Sequence, residues 1–463
     1  MRPPLWTSDE IVAATGGTLH GAPFAVDGVT FDSREVEGGE LFVAMPGTAH
    51  DGHDHVARAL ADGAIAALVS RPAADGSDWG PHVLVDDVPA ALTALAVAAR
   101  ARMAGPVVGV TGSVGKTSTK EALAAALDRQ EPGFTHRSVK SYNNHTGVPL
   151  SLARMPRDSR FAVLEMGMNH AGEIASLTRL VRPHVALITT IASAHIEHLG
   201  SMEAIADAKA EIFEGLEPGG TAVIPEDTPY RDRLLKAAKR QADAIVTFGG
   251  GEADVTATHA VTAEGGGSLV TARLRESELT FTIAQRGDHW VTNSLGVLAV
   301  VEALGADLAI AGLALADLGG LKGRGERHRI AAEGGEYLLI DESYNANPAS
   351  MAATLKALGE ERGVSRRIAV LGPMRELGEQ ADALHAGLAP AIEAAKVELA
   401  LLVGDDMAPL AGALAGRVEV RRADSVEAAT GLLKATVRPG DAVLVKASNS
   451  IGLAKLVTAM AGG

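Results

Sequence analysis

Residues 108–121, VGVTGSVGKTSTKE, join an apolar strand to a helix through a glycine-rich loop. Glycines allow backbone N–H groups to converge on phosphate oxygens, and the following helix directs its N-terminus at the same anion. In this loop Lys116 can neutralise the outer phosphates of a nucleotide, and the Thr117 hydroxyl can ligate Mg²⁺. Val110 stands where the strict phosphate-loop pattern has glycine, so a glycine-rich turn with an incidental lysine is the alternative.

Length and composition narrow the class of protein. The chain has 463 residues, which favours about three domains. Its formal charge of −15 and its aromatic content of 3% argue against a nucleic-acid binder. It has no cysteine, which excludes disulfides and thiolate metal sites. The N-terminus lacks a long apolar segment, and the apolar residues 295–321 are interrupted by Glu302 and Asp307, so we expect a cytoplasmic protein without membrane insertion.

Short apolar strands alternate with helical patterns, which predicts an α/β protein with parallel sheets. A capping box at Thr7 or Ser8 with Glu10 predicts the first helix, inside a small α/β unit that ends near Asp86. The following strands and helices predict a parallel sheet around the phosphate loop.

Two later segments depart from this alternation. Residues 252–284 are rich in Thr and Val, alternate in polarity and break at the glycines 265–267, which predicts antiparallel hairpins. Residues 319–325 are glycine-rich and basic, which predicts a hinge, and the strands beyond it predict a second doubly wound unit.

Polar residues at strand ends are the candidates for chemistry. Glu165 ends an apolar strand, where a carboxylate could hold Mg²⁺, and His195 follows the next strand on the same rim. A solvent-facing glutamate and an ordinary loop histidine are the alternatives. By pattern alone, Lys209 is a surface lysine of a helix, and Asn143 and Asn144 are turn amides.

Seven motifs extend this set in a fixed order along the chain: TGSVGKTS, YNNHTGVPLSL, LEMGMNHAGEI, AHIEHLGS, AKAEIF, HWVTNSLG and IDESYNANPASM. Together with FDSREVEGGELFVAMPG before them and VLGPMRELGEQADALHAGL after them, they make the chain resemble the Mur ligases over nearly its whole length. Small departures from the family pattern are Ala210, and Ala447, to which no role is given.

The resemblance implies three domains: a small α/β UDP-sugar-binding domain over residues 1–86, a central ATPase domain with a phosphate loop over residues 87–320, and a Rossmann-like domain over residues 321–463. Within the family, YNANPASM and NNHTGVP point to the member that joins D-alanyl-D-alanine to a UDP-MurNAc-tripeptide, while the D-N-P-R motif of the diaminopimelate-adding member is absent. ATP would phosphorylate the tripeptide carboxylate, and the dipeptide amine would attack the acyl phosphate. The family also implies a monomer, and the third residue of the tripeptide stays open between lysine and diaminopimelate.

Roles carry over by position from the resemblance, with two Mg²⁺ ions and a carbamoylated Lys209 as the implied cofactors. The implied catalytic residues are Lys116, His195, Lys209 and Arg324. The implied ATP contacts are Thr111, Gly112, Ser113, Val114, Gly115, Lys116, Thr117, Ser118, Asn293, Arg324 and Asp341. The implied metal ligands are Thr117, Glu165, His195 and Lys209. The implied substrate contacts are Ser33, Arg34, Asn143, Asn144, Tyr344 and Asn345.

Other functions remain open at this point. Another Mur-type amide ligase would share these motifs, and a folylpolyglutamate synthase would share the central domain but begin directly with it. A catalytically inactive, nucleotide-dependent binding protein is the alternative from another class. Retention of Lys116, Glu165, His195 and Lys209 together argues against that alternative.

Overall fold

A computed structural model describes residues 3–47, 50–193, 196–263 and 266–462 of the chain. Over these ranges the strands form sheets of five, nine and six strands, besides one two-stranded ribbon. Most of the pairing in the three larger sheets is parallel, so the predicted α/β fold is confirmed. The domain boundaries after residues 86 and 320 stay a prediction. No helix in the described ranges is long and apolar enough to cross a membrane.

The five-stranded sheet is built by the N-terminal part of the chain. The elements of this part of the chain are β1 (Trp6–Thr7), α1 (Ser8–Thr15), β2 (Thr18–His20), β3 (Ala25–Val26), β4 (Gly28–Thr30), β5 (Glu40–Val43), α2 (Val56–Ala61), β6 (Ala66–Val69), β7 (His82–Leu84) and α3 (Val88–Arg102). The strand order is β2-β7-β6-β5-β4, and β1 pairs with β3 in the separate ribbon. Short 3-10 turns lie between β4 and β5, at Ser33–Glu35, and between β5 and α2, at Gly52–His55.

The predicted capping box begins α1. Thr7 accepts a hydrogen bond from the backbone N–H of Glu10, and the Glu10 carboxylate accepts one from the N–H of Thr7 at 2.9 Å. Trp6, directly before it, is only 2% exposed, and its indole N–H donates to the carbonyl of Ala153 at 2.8 Å. The guanidinium of Arg102 lies 4.0 Å from the centre of the same ring. Trp6 therefore joins the start of the chain to the helices beside the nine-stranded sheet.

The nine-stranded sheet carries the phosphate loop. Its elements are β8 (Val107–Thr111), α4 (Lys116–Asp128), β9 (Thr135–Arg137), α5 (Gly147–Ala153), β10 (Phe161–Glu165), α6 (Glu173–Val181), β11 (Val185–Ile188), α7 (Ile196–Leu199), α8 (Met202–Ala210), β12 (Thr221–Pro225), α9 (Arg231–Ala238), β13 (Ala244–Gly249), β14 (Val255–Thr262), β15 (Ser268–Arg273), β16 (Glu278–Ile283), α10 (Asp288–Ala303) and α11 (Leu308–Asp317), with a 3-10 turn at Glu211–Gly215. The strand order is β16-β15-β14-β13-β12-β11-β8-β10-β9.

This order places the loop after β8 at a topological switch point. After β8 the chain forms β9 and β10 on one side of it and then β11 on the other side, and β8 pairs in parallel with both β10 and β11. In such sheets ligands bind in the crevice outside the carboxyl ends of the strands at this point. The predicted antiparallel hairpins are confirmed as β14, β15 and β16, which extend the sheet at its far edge.

The six-stranded sheet follows residues 319–325, the segment predicted to be a hinge. Its elements are β17 (Glu326–Ala332), β18 (Gly335–Glu342), α12 (Pro348–Gly359), β19 (Arg366–Leu371), α13 (Ala381–Ala386), α14 (Ala389–Ala394), β20 (Leu399–Val403), α15 (Ala408–Leu414), β21 (Glu419–Ala423), α16 (Val426–Thr436), β22 (Asp441–Lys446) and α17 (Ala454–Ala461), with 3-10 turns at Gly378–Gln380, Asp405–Met407 and Asn449–Ile451. The order is β17-β18-β22-β19-β20-β21, parallel except for β17.

The sequence analysis did not anticipate β17. Its sequence ERHRIAA carries three charged residues and one histidine, and the strand lies half-buried at the sheet edge, paired only with β18. Edge strands need little apolar sequence because one side of them faces solvent. Hydrophobic cores between the strands and the helices lie on both faces of the six-stranded and nine-stranded sheets. One of these cores is shared by the five-stranded sheet, α3 and one face of the nine-stranded sheet.

We expect Trp6→Ala to lower the free energy of unfolding by about 3–5 kcal/mol, as loss of a buried large aromatic side chain does. Urea unfolding followed by circular dichroism measures this. Trp79→Ala is the matched control, because Trp79 is only half-buried in a loop and contacts His82 at its ring edge. Equal destabilisation by both changes would contradict the role given to Trp6.

Candidate active site

The phosphate loop adopts a conformation that only glycine tolerates at two positions. Gly112 has φ +146°, and a Cβ there would lie 2.0 Å from the Thr189 hydroxyl oxygen. Gly115, at φ +87°, is the N-cap of α4, and a Cβ there would come within 3.2 Å of the Asn293 amide. The backbone can therefore turn sharply from β8 into α4 and leave the helix N-terminus open to an anion.

A cavity of about 630 Å³ lies above this loop, between the nine-stranded and six-stranded sheets. Most of the residues predicted to bind ATP, metal or substrate line it: Ser113, Val114, Gly115, Lys116, Thr117, Ser118, Asn143, Asn144, Glu165, Asn293, Arg324, Tyr344 and Asn345. Tertiary structure thus brings together residues that are more than 200 positions apart in the chain.

A directed chain of hydrogen bonds crosses the cavity floor. The Thr117 hydroxyl donates to Glu165 Oε2 at 2.8 Å. Because its only proton is used there, Ser141 Oγ must donate to Thr117 Oγ1, at 3.2 Å. Arg324 Nη2 then donates to Ser141 Oγ at 3.4 Å. The second carboxylate oxygen of Glu165 accepts from the Asn143 amide at 2.7 Å. Glu165 is therefore held by the first turn of α4 and by the loop before α5, and it is linked through Thr117 and Ser141 to Arg324.

The cations of the cavity are arranged for an anion. Lys116 Nζ donates to the carbonyl of Gly112 at 2.8 Å, within its own loop. Burial lowers the pKa of Lys116, and the nearby Glu165 carboxylate opposes this shift. The Arg324 guanidinium stacks at 4.2 Å over the Tyr344 ring, which fixes its orientation. A phosphate between Lys116 and Arg324 would relieve their mutual repulsion.

Lys209 lies in α8, fully buried, which corrects its interpretation as a surface lysine from the helical pattern alone. Its Nζ has no hydrogen-bond partner within the described part of the chain. Burial lowers the pKa of Lys209 well below its usual value, and the positive charge of Lys116 lowers it further. Glu165 and Glu173 act in the opposite direction. The amine is therefore neutral at a pH where an exposed lysine is charged.

The oxygens beside Lys209 fit a hard divalent cation. Thr117 is 7% exposed and Glu165 is 1% exposed, so both offer desolvated oxygen ligands of the kind that Mg²⁺ prefers. The unpartnered Lys209 amine fits a group that would turn it into an oxygen ligand. His195, the remaining predicted metal ligand, lies outside the described residues.

Asp341 does not line the cavity. Its carboxylate is 2% exposed and accepts hydrogen bonds from the backbone N–H groups of Gly323, at 2.9 Å, and Ser343, at 3.0 Å. It therefore holds the turn that presents Arg324. Its side chain and those of Glu326 and His328 bring ligand atoms within 4.8 Å of one another, and the Asp341 oxygens in this group also accept the hydrogen bonds from Gly323 and Ser343.

Besides Asp341, five of the predicted residues that the structure describes do not line the cavity: Lys209, Thr111, Gly112, Ser33 and Arg34. Thr111 is fully buried and donates to the carbonyl of Met166 at 2.8 Å, while Gly112 shapes the turn from behind. Ser33 and Arg34 lie in an exposed turn after β4, where Arg34 pairs with Asp32. The structure therefore places the predicted nucleotide-sugar contacts in the N-terminal part, apart from the phosphate loop.

The sequence analysis missed Lys446, Glu342 and Ser141, which all line the cavity. Lys446 Nζ donates to the Asn345 carbonyl at 2.9 Å and lies 3.4 Å from Glu342 Oε2. Burial raises the pKa of Glu342 and lowers that of Lys446. Both residues end apolar strands of the six-stranded sheet, the same signal that identified Glu165. Ser141, in an irregular loop, carried no comparable signal.

Three sequence-family models match this chain. The model described as "Mur ligase middle domain" matches residues 110–301. The model described as "Mur ligase, glutamate ligase domain" matches residues 323–449. The model described as "Mur ligase family, catalytic domain" matches residues 25–103. Together these regions contain the phosphate loop, the hinge arginine and the turn with Ser33 and Arg34.

Individual relatives agree with these matches. A UDP-N-acetylmuramoyl-tripeptide–D-alanyl-D-alanine ligase from Synechocystis sp. is 35% identical over 437 residues, which are 94% of this chain and 91% of the relative. A crystal structure of MurF from Acinetobacter baumannii is 29% identical, with a TM-score of 0.84 and coverage of 100% of both chains. A MurF ligase from Thermotoga maritima in complex with ADP is 28% identical, with a TM-score of 0.77 and coverage of 94% of this chain and 96% of that one.

We expect Lys209→Met to raise the free energy of unfolding at neutral pH by about 1–3 kcal/mol, because it removes a buried polar group without a partner. In the unfolded chain this lysine becomes protonated as the pH falls below about 10.4. In the folded chain its pKa lies well below its usual value, so it stays neutral until the pH is much lower. Stability of the native chain therefore falls as pH falls through that window. The advantage of Lys209→Met should accordingly shrink as the pH rises towards about 10.

Urea unfolding at several pH values, in buffer freed of CO₂, measures this difference. Lys236→Met is the matched control, because Lys236 is exposed on α9, and its effect should not vary with pH. A pH-independent effect of Lys209→Met would contradict the neutral buried amine.

Proposed function

This chain belongs to the Mur ligase family and is an ATP-dependent, ADP-forming ligase, and we propose that it adds D-alanyl-D-alanine to UDP-N-acetylmuramoyl-tripeptide through an acyl phosphate. The product would be the UDP-N-acetylmuramoyl-pentapeptide used for peptidoglycan. The observation that carries the proposal is the convergence of Lys116, Thr117 and Glu165 with Arg324, from beyond the hinge, on one cavity. A cavity of this kind can hold a triphosphate and an acceptor acid together.

The chemistry requires activation of a poor electrophile. A carboxylate oxygen of the tripeptide bonds to the γ-phosphorus of ATP while the bond to the bridging oxygen breaks and ADP leaves. The dipeptide nitrogen then bonds to the acyl carbon, the tetrahedral intermediate expels inorganic phosphate, and the amine proton passes to solvent. In the first step two anions must approach each other, so cations must face the charge that develops. Lys116 and Arg324, which both line the cavity, would supply these cations.

Two Mg²⁺ ions are part of this proposal. Thr117 and Glu165 would hold one of them, and His195 with a modified Lys209 would serve the other. Bound Mg²⁺ would neutralise the phosphate charge during transfer. A lysine ammonium would repel such an ion, but a neutral Lys209 amine can attack CO₂, form an N–C bond and release a proton to give a carbamate. The desolvated, unpartnered amine supports this modification.

The remaining contacts follow from where the residues lie. Ser33 and Arg34 would bind the nucleotide sugar, and Asn143 and Asn144 would reach its peptide arm at the cavity. The further ATP contacts would be Ser113, Val114, Gly115, Ser118 and Asn293. Thr111 and Gly112 would shape the loop from behind, and Asp341 would act on ATP only by holding the turn of Arg324. Tyr344 and Asn345, which line the cavity from the six-stranded sheet, would contact the incoming dipeptide. We also propose that the protein acts as a cytoplasmic monomer.

The alternatives from the sequence are less well supported. Residues 25–103 match a Mur ligase model, whereas a folylpolyglutamate synthase would begin directly with its ATPase domain. A family member that adds a single amino acid remains the relevant competitor, and it is distinguished by its substrate. An inactive binding protein would not need the desolvated Lys209 amine beside Thr117 and Glu165.

We expect the purified protein to release phosphate from ATP only when UDP-MurNAc-tripeptide and D-alanyl-D-alanine are both present, because the acyl phosphate forms on one and is captured by the other. A coupled phosphate assay, with lysine and diaminopimelate forms of the tripeptide, measures this. The control replaces the dipeptide with single D- or L-amino acids. Equal turnover with a single amino acid would assign the chain to a different member of the family.

We expect Lys209→Ala to lose at least about 100-fold in kcat, within the range found when one charge-stabilising group is removed. Short carboxylates such as acetate or propionate should partly restore the rate by filling the space of the carbamate. Lys236→Ala, on the exposed face of α9, should retain wild-type activity with or without these acids. Wild-type activity of Lys209→Ala would rule out the carbamate.

A further inference from the structure

The Glu35 carboxylate joins the N-terminal part of the chain to a loop that reaches the cavity. Glu35 directly follows Ser33 and Arg34 and ends the same short turn. Its Oε1 accepts hydrogen bonds from Lys140 Nζ and, at 3.1 Å, from the Tyr142 hydroxyl. Lys140 and Tyr142 belong to residues 138–144, which we call the bridging loop.

Two further contacts reinforce this junction. Arg154 Nη2 lies 3.6 Å from the second oxygen of Glu35, and the rings of Phe31 and Tyr142 are 5.5 Å apart. Burial would raise the pKa of Glu35, but the hydrogen bond from Lys140 brings it below its ordinary value. The carboxylate is therefore charged at neutral pH and is held from three directions.

The same loop also contacts two of the proposed metal ligands, Thr117 and Glu165. Ser141 Oγ contacts Thr117 Oγ1 at 3.2 Å, and the Asn143 amide donates to Glu165 Oε1 at 2.7 Å. Ser138 Oγ accepts from the backbone N–H of Glu165 at 3.1 Å. Alternate residues of the loop thus face Glu35 on one side and the Thr117–Glu165 pair on the other, so a shift of the loop would move both sets of contacts.

The bridging loop is held under backbone strain. Lys140 has φ +53°, in the left-handed region that residues other than glycine seldom adopt. The ammonium of Lys120, fully buried, donates to the carbonyls of Ser138, at 2.7 Å, and Lys140, at 2.8 Å. Strain of this kind persists only where surrounding contacts over-determine the conformation. The Lys140–Glu35 contact is one of these contacts, and it comes from another part of the fold.

We propose that Glu35 is a positioning residue that couples binding of the nucleotide sugar, at the adjacent Ser33 and Arg34, to the geometry of the Thr117–Glu165 pair through the bridging loop. This inference rests on the proposed function, because it takes the turn with Ser33 and Arg34 as the nucleotide-sugar contact. Ligand that orders the turn would fix Glu35, and Glu35 would fix Lys140 and Tyr142. Coupling of this kind is reciprocal, so metal must also tighten nucleotide-sugar binding by the same factor.

Hydrogen exchange of the full-length protein tests the first step without any metal or ATP. Addition of UDP-MurNAc-tripeptide alone should slow amide exchange in residues 138–144 of the native protein. In Glu35→Gln the same addition should leave exchange in the loop unchanged although the nucleotide still binds. Glu37→Gln is the matched control, because Glu37 is an exposed glutamate two positions along the same segment, and it should respond as the native protein does.

Mn²⁺ binding, measured by electron paramagnetic resonance, tests the second step apart from catalysis. UDP-MurNAc-tripeptide should tighten Mn²⁺ binding by about fivefold or more in the native protein and in Glu37→Gln, the size expected of a coupled pair of sites. Glu35→Gln should lose this tightening. Mere destabilisation would lower the folded fraction but would not remove the response of the folded molecules.

Lys140→Met removes the same contact with Glu35 by changing the loop residue. It replaces Glu35→Gln in both experiments if Glu35→Gln does not fold. The double variant Glu35→Gln with Lys140→Met should lose no more coupling than either single variant, since both remove one interaction. Undiminished tightening in Glu35→Gln or Lys140→Met would overturn the inference. If the native protein neither binds the nucleotide-tripeptide nor turns it over, the proposed function fails instead, and the two failures are therefore distinguishable.

Discussion

The hydrogen bond from the Thr117 hydroxyl to Glu165 is the contact on which the arrangement of the cavity depends. It joins the first turn of α4 to the end of β10 at the switch point of the nine-stranded sheet, and the distance between Thr117 Oγ1 and Glu165 Oε2 is 2.8 Å. This contact depends on the sharp turn of the backbone from β8 into α4, and that turn requires glycine at Gly112 and Gly115. Ser141 and Asn143 approach the same pair from an irregular loop. Polar groups from three segments of the chain thus meet at this point.

The electrostatics of this place are unfavourable without an anion. Lys116 and Arg324 face one cavity, and Lys209 lies buried beside them without a hydrogen-bond partner in the described part of the chain. Each of these features reduces stability, since a desolvated cation or an unpartnered amine is destabilising. Such groups are retained where a ligand completes them. Under the proposed function, triphosphate and a carbamate would supply the missing negative charge, which would account for both the clustered cations and the neutral lysine.

The site draws on parts of the chain that fold as separate sheets. The N-terminal part contributes Glu35, at the end of the turn that we propose binds the nucleotide sugar. The nine-stranded sheet contributes the phosphate loop, and the segment after residue 320 contributes Arg324. Asp341 supports Arg324 from below by holding the hinge turn, which explains how a residue that does not line the cavity can still affect it. A reactive acyl phosphate needs protection from water, and a site assembled between sheets can exclude water when the sheets approach.

Local patterns determined much of this protein in advance. Alternating apolar strands and helices predicted the α/β sheets, glycine spacing predicted the phosphate loop, and Thr and Val alternation predicted the antiparallel extension, because each depends on interactions between near neighbours. The charged edge strand β17 escaped prediction, because pairing with β18 and not apolar burial defines it. Lys209 looked like a surface residue, and Ser141, Glu342 and Lys446 carried no assignment. Tertiary structure alone decided that Ser141, Glu342 and Lys446 line one cavity and that Lys209 is buried, because desolvation and hydrogen bonding between distant segments exist only once the sheets have packed together.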